Sequence, residues 1–281
     1  MNRYLAPLAL ALCLVIPLPA QNPAAPQATP PTPKPKAAPR PPMTEAERAL
    51  HLTPPGPADA PLVTADTTFE EQDGQVVIEA EHFVRQSRDV IRRWFINGGG
   101  FEPTTKPDPD PVMVTDASNG MYVEALPDTF VHNHERAVDG ANIGIAPGAV
   151  AVLHYPVHFT KPGRYYIWTR MRSNDDEDNT FNAGIDDTWP ASARCLQFPK
   201  LKKVWWWGGV IRDARGPSYP HHRAYLDVPA AGVYTIMYSM REDGSELDKF
   251  LLTMDGRMKA PEGAGPAASP FKTGGLAANK K

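Results

Sequence analysis

The sequence predicts an all-β protein, a jelly-roll β-sandwich set between a disordered Pro/Ala-rich leader and a disordered tail. Three observations predict it. Short runs of β-branched and aromatic residues recur between positions 64 and 256, among them Val76-Val77-Ile78, Tyr165-Tyr166-Ile167-Trp168-Thr169 and Val233-Tyr234-Thr235-Ile236. Turn formers punctuate them at Lys161-Pro162-Gly163, Asn174-Asp175-Asp176, Ala231-Gly232 and Asp243-Gly244. Helical spacing of apolar residues is almost absent; only 84–95 offers Val84, Val90, Ile91 and Trp94 on one helical face with Arg85, Arg88, Arg92 and Arg93 outside it. Many short punctuated strands are the mark of a sandwich or barrel.

The leader divides in two. Arg3 precedes an apolar run over 5–16, and Leu18-Pro19-Ala20 supplies small residues for cleavage after Ala20. A basic start, a short apolar stretch and small residues make a secretory signal peptide at 1–20. The run is too short to cross a bilayer as a helix. A secreted or periplasmic location follows, with no membrane span after cleavage. Cys13 leaves with that segment, so Cys195 stands alone and no intramolecular disulfide is available. Beside Leu196 and Phe198 it reads as a small apolar filler. Residues 21–63 are rich in Pro and Ala and cannot bury enough surface to order themselves; they form a spacer. The stretch 257–281 returns to Gly, Ala, Pro and Lys and is expected to be a disordered tail.

The remaining domain, 64–256, is large enough for one good core. It holds 19 basic and 28 acidic side chains, a net of −9, whereas the whole chain carries only −3. So acidic a domain is a poor partner for nucleic acid and better suited to cations or neutral ligands. A monomer is expected.

Strand 165–172 shows the pattern in detail. Side chains alternate, so Tyr165, Ile167, Thr169 and Met171 face one side and Tyr166, Trp168, Arg170 and Arg172 the other. The two arginines meet either part of the acidic excess or a ligand.

Three segments in order resemble the carbohydrate-binding modules of families 6 and 35, which have the galactose-binding-like jelly roll. These are Val77-Ile78-Glu79-Ala80-Glu81-His82-Phe83, the Pro162-Gly163-Arg164-Tyr165-Tyr166-Ile167-Trp168-Thr169-Arg170 strand, and the pair around Ala231-Gly232-Val233-Tyr234 and Ser245-Glu246-Leu247-Asp248-Lys249. A similar module closes some α-glucuronidases. The resemblance spans most of 76–254, and the chain departs from it in two long loops, 88–117 and 200–222. It implies a non-catalytic carbohydrate binder with a structural Ca²⁺ held by Glu79, Glu81 and Asp248. The residues themselves are compatible with that. Glu79 and Glu81 lie two apart on an expected strand, where like charges repel without a cation between them. An exposed acidic edge is the alternative reading.

For the ligand, Trp205-Trp206-Trp207 is the candidate platform, because consecutive residues of an extended segment cannot all enter one core. Tyr122 and Asn119, in Asn119-Gly120-Met121-Tyr122, and Glu246 join it as candidate contacts. Asn97-Gly98-Gly99-Gly100 lacks the strand-to-helix setting of a phosphate loop. Asp178, Asn179 and Trp189 are further rim candidates.

Catalysis has a weaker case. His132, His134, Glu135, His221 and His222 could gather a metal, but no HExxH helix and no Gly-x-Ser-x-Gly elbow is present. A glycan hydrolase, with two carboxylates facing one cleft, and a structural or adhesive envelope protein remain as alternatives to a sugar binder.

Overall fold

The computed structural model describes residues 57–87, 92–197, 202–212 and 222–274. Residues 1–20, expected to be a signal peptide, the expected spacer up to 56, and residues 275–281 lie outside the described residues. In chain order the strands are β1 (Thr68–Glu70), β2 (Gln75–Glu79), β3 (Arg85–Gln86), β4 (Arg93–Gly98), β5 (Met121–Leu126), β6 (Val152–Phe159), β7 (Gly163–Arg172) and β8 (Thr180–Ile185). They continue as β9 (Leu196–Gln197), β10 (Trp206–Gly208), β11 (Val210–Ile211), β12 (His222–Arg223), β13 (Tyr225–Val228), β14 (Gly232–Met240), β15 (Glu246–Thr253) and β16 (Phe271–Lys272). No α-helix occurs among the described residues; short 3₁₀ turns link some strands.

Two sheets form the sandwich. One runs β12-β11-β9-β8-β14-β6-β1-β16, with β3 added on β6. The other runs β10-β7-β15-β5-β4, with β13 on β7 and β2 on β15. Early strand β2 therefore lies antiparallel to late strand β15, Glu79 opposite Lys249 and Ile78 opposite Phe250. The seam expected between the two ends of the domain is present.

The core is aromatic, as the alternation in β7 requires. Tyr165, Ile167 and Met171 point inward and join the main cluster with Phe69, Trp94, Tyr155, Phe159, Phe181, Tyr238 and Phe250. Phe250 meets Tyr238 at 4.8 Å and Tyr155 at 4.9 Å between ring centroids. Buried polar tips find partners: Tyr155 Oη donates to the Ala80 carbonyl at 2.7 Å, and Trp94 Nε1 to the Ala151 carbonyl at 2.6 Å. Such pairing is what lets large amphipathic rings enter a core without stranding a donor.

Three expectations need correction. The helical face over 84–95 does not form among the described residues; β3 and β4 stand there, and β4 lies inside the stretch 88–117 expected to be a loop. Two of the arginines placed outside that helix are instead buried and paired, Arg92 with Asp243 at 2.8 Å and Arg93 with Asp59 at 2.6 Å, whereas Arg85 is exposed as expected and Arg88 lies outside the described residues. Those pairs lie far apart in sequence, so local periodicity could not report them. The domain also begins earlier than 64, since Ala58 packs with Phe95 and Leu126. Finally, 257–274 is not a disordered tail. It folds back over the outer face of the second sheet. Trp207 Nε1 donates to the Gly263 carbonyl at 3.0 Å, Lys249 Nζ to the Pro266 carbonyl at 3.1 Å, and β16 pairs with β1. A Gly/Pro-rich segment can be ordered when a ready-made apolar face receives it; here Val77, Leu251 and Trp207 supply the face and Met258 packs against it.

Trp207→Ala is expected to cost about 3–5 kcal/mol in urea unfolding, the usual range for emptying a buried aromatic site. Trp206→Ala, at an exposed position, should cost less than about 0.5 kcal/mol.

Candidate functional site

The outer face of the second sheet carries the site. β7 sends Tyr166, Trp168, Arg170 and Arg172 outward in alternation, and Arg223 lies 4.8 Å over both the Tyr166 and Trp168 rings. Along the β7–β15 pairing, Glu246 faces Arg172 and Lys249 faces Arg170, while Asp248 is the extra residue of a bulge between them. The bulge rotates Asp248 onto the arginine face.

Three buried ion pairs result. Arg170 Nη1 reaches Asp248 Oδ2 at 2.5 Å, Arg172 Nη1 holds both Glu246 oxygens at 2.8 and 2.7 Å, and Lys249 Nζ lies 2.8 Å from Glu79 Oε1. All six side chains are buried. Charges so deep persist only when paired, because desolvation of either partner alone is expensive.

Glu79, Glu81 and Asp248 do come together. Ser118 joins two of them: its hydroxyl donates to Glu79 Oε1 at 3.0 Å and its N–H to Asp248 Oδ1 at 2.7 Å. Asn119 Nδ2 donates to Glu81 Oε1 at 3.2 Å. The local geometry differs from expectation in one respect. Glu81 sits in a 3₁₀ turn, Ala80–His82, so it is not two strand positions from Glu79. Burial pushes the Glu81 carboxyl up to about 8, with further repulsion from Glu79 and Asp248. At pH 7 a proton on Glu81, Arg170 and Lys249 thus already balance the three acids. Against this, Glu79 Oε2 and Glu81 Oε2 are buried with no hydrogen-bond partner, and hard oxygens of this kind suit calcium. The donor set therefore fits that ion in type.

The tryptophan run separates into three roles. Trp207 is buried beneath the folded-back chain, Trp206 is 40% exposed on β10, and Trp205 forms a wall of a cleft of about 190 Å³. Arg170, Arg172, Lys203, Thr115 and Asp116 line the same cleft. Tyr122 lies behind Trp205, its ring edge-on at 5.1 Å, and is itself fully buried. Burial beside Glu246 and Glu124 pushes the Tyr122 phenol up, so it stays neutral. Of the six expected ligand contacts, only Trp205 lines the cleft. Tyr122 supports it, Glu246 anchors Arg172, and Asn119 belongs with Glu81.

Sequence reasoning missed Lys203 and Asp116, both exposed at the cleft mouth. Neither carries a motif, and the signal that remained was the Arg-x-Arg alternation of β7. Among the described residues the histidine set forms no metal cluster. The His132 and His134 rings approach to 5.3 Å, but Glu135 is spent on the backbone N–H groups of Val131 and His132. His221 and the side chain of His222 lie outside the described residues. Asp178 accepts from Ser173 Oγ and two backbone N–H groups, an ordinary turn role. Cys195 is half-buried and its thiol is pushed up by that burial, as an inert filler would be.

No protein-family model matches the chain. A curated relative from Formosa agariphila, uncharacterized protein P23, is 40% identical over 193 residues, 69% of this chain and 47% of that protein. The chain thus spans about half the length of the curated relative it matches. Among solved structures, a family 35 carbohydrate binding module from Clostridium thermocellum is 12% identical with a TM-score of 0.31, covering 63% of this chain and 96% of its own. The GH26-CBM35 β-(1,4)-mannanase of Podospora anserina is 14% identical with a TM-score of 0.32, covering 67% and 29%. An isomalto-dextranase of Arthrobacter globiformis is 12% identical with a TM-score of 0.35, covering 66% and 24%.

Arg172→Met should leave the buried Glu246 carboxyl without its partner, at a cost of about 3–5 kcal/mol in denaturant unfolding. Replacing both as Arg172→Met/Glu246→Leu is expected to recover most of that loss. A single-variant cost below about 1 kcal/mol would show the pair to be dispensable.

Proposed function

We propose that the chain is an exported, non-catalytic carbohydrate-binding protein whose ligand lies in the cleft walled by Trp205. The cleft carries the reading. A sugar ring offers an apolar C–H face and a rim of hydroxyls, and a binder answers with an aromatic wall and a few fixed polar groups. Trp205 supplies the wall, held rigid from behind by Tyr122. The buried Arg170 and Arg172 form the polar side, fixed by Asp248 and Glu246. Lys203 and Asp116 bring one charge of each sign to the mouth, which suits a hydroxylated ligand better than a polyanion.

A binding role is favoured over hydrolysis by the state of the acids. Glycoside cleavage needs two carboxylates facing one cleft at a set separation. Asp116 is the one acid among the described residues lining this cleft, whereas Glu246 and Asp248 are committed to arginines. The export reading of residues 1–20 and the spacer completes the proposal, with the folded domain held away from its point of attachment or release.

The reading also includes a structural calcium at Glu79, Glu81 and Asp248. The two unpartnered buried oxygens of the glutamates support it. Calcium supplies charge there in place of the Glu81 proton; Ser118 and Asn119 orient the carboxylates, and the ion's effect would be to clamp β2 to β15.

Glycan-array screening of the full chain, followed by calorimetry on the best oligosaccharide, tests the cleft. Trp205→Ala should weaken binding at least tenfold, about 1.4 kcal/mol, while Trp206→Ala leaves it within twofold. Binding that ignores Trp205 and depends on Trp206 would move the ligand to another surface, and a chain that binds no glycan would end the proposal.

A further inference from the structure

A second group of acids lies at the loop end of the sandwich. Asp110 belongs to the connection between β4 and β5, Asp128 follows β5, and Asp175 lies in the turn between β7 and β8. One carboxylate oxygen from each falls within 4.8 Å of the others. Three oxygens this close can share a single ion at the 2.3–2.6 Å typical of calcium, whose shell tolerates irregular geometry where that of magnesium does not.

Two observations besides the cluster point to a ligand. Asp128 is 1% exposed, and neither of its oxygens has a hydrogen-bond partner. Asn174 is 4% exposed; its Nδ2 donates to Asp110 Oδ2 at 2.6 Å while its Oδ1 is left unpartnered. A buried carboxylate without a donor or a counter-charge is among the costliest groups a fold can hold. Here the fold has made room for it: Gly244, at φ +70°, would place a Cβ 2.6 Å from the Asp128 Cγ, so a side chain at 244 is excluded.

Lys203 lines the neighbouring cleft but is exposed to solvent; other nearby cations are already paired. Lys202 pairs with Asp176, Arg92 with Asp243, Arg172 with Glu246 and Lys106 with Asp108. Asp178, close by, is held by Ser173 and backbone N–H groups. Burial, then repulsion from Asp178, holds Asp110 up to about 6 and Asp175 up to about 7. Asp128 is pushed well above the ordinary carboxylate range by burial and by Asp243, Asp110 and Asp175. A cleft of about 470 Å³, lined by Asp110, Asn174 and Asp175, gives an entry path from solvent.

We infer that Asp110, Asp128 and Asp175, with the Asn174 amide oxygen, form a calcium site that ties three loops together. It is separate from the Glu79–Glu81–Asp248 group, shares no ligand with it, and does not depend on carbohydrate binding. Its adjacency to the Trp205 cleft comes through Lys203, which lines both.

Calcium titrated calorimetrically into the EDTA-treated full chain, with melting followed in parallel, tests it. In EDTA, Asp128→Asn should melt no lower than the parent, because a neutral amide of the same shape replaces a buried carboxyl that has no hydrogen-bond partner. In calcium the parent should gain stability, while Asp128→Asn and, as an independent half-exposed position, Asp175→Asn each lose at least tenfold in affinity for this ion. Glu81→Gln, which alters only the other group, should retain the event. A parent chain that binds no calcium, or variants at 128 and 175 that bind it with unchanged affinity and stoichiometry, would overturn the assignment. So would magnesium binding as tightly as calcium.

Discussion

Everything on the outer face of the second sheet depends on three buried ion pairs along β15. Arg172–Glu246, Arg170–Asp248 and Lys249–Glu79 bind β15 to β7 on one side and β2 on the other. Each is worth little as a net gain over apolar packing, because both charges must leave water. Their effect is on specificity of arrangement. A strand carrying Glu246, Asp248 and Lys249 inside the fold has few registers in which every charge meets its opposite, so register and bulge are set together.

The same pairs prepare the cleft. Arg170 and Arg172 line it already ion-paired, so their guanidinium planes are fixed before any ligand arrives. Trp205 is fixed in turn by Tyr122 and lies 5.6 Å from the Arg170 guanidinium carbon. Preformed walls of this kind lower the entropy lost on binding. The back-folded chain 257–274 completes the face at the other end by covering Trp207 and supplying carbonyl partners to Lys249.

Charge is distributed with the same logic across the molecule. Acids that tie strands together have arginine or lysine partners, and those that close turns, such as Glu71 and Asp178, accept several N–H or O–H donors. At the loop end Asp110, Asp128 and Asp175 lie close together with no ion pair, and neither oxygen of Asp128 has a hydrogen-bond partner. An acidic domain concentrates its uncompensated charge there rather than spreading it over the surface, which is where an external cation has the most to offset.

The sequence by itself determined the two-sheet β architecture and the inward and outward faces of β7, and its resemblance to the carbohydrate-binding modules implied the meeting of Glu79 with Asp248. These are local consequences of side-chain alternation and turn formers, or of a pattern legible in a few contiguous segments. Tertiary structure alone decided which tryptophan would be buried, exposed or at a cleft, because three identical neighbours differ only in what packs over them. It likewise ordered 257–274, whose residues have no core of their own but lie on one made elsewhere. It turned Arg92 and Arg93 inward to acids at 243 and 59, and brought together aspartates 18 and 47 positions apart. Contacts of that range are set by the closing of the sandwich, and no periodicity in the chain records them.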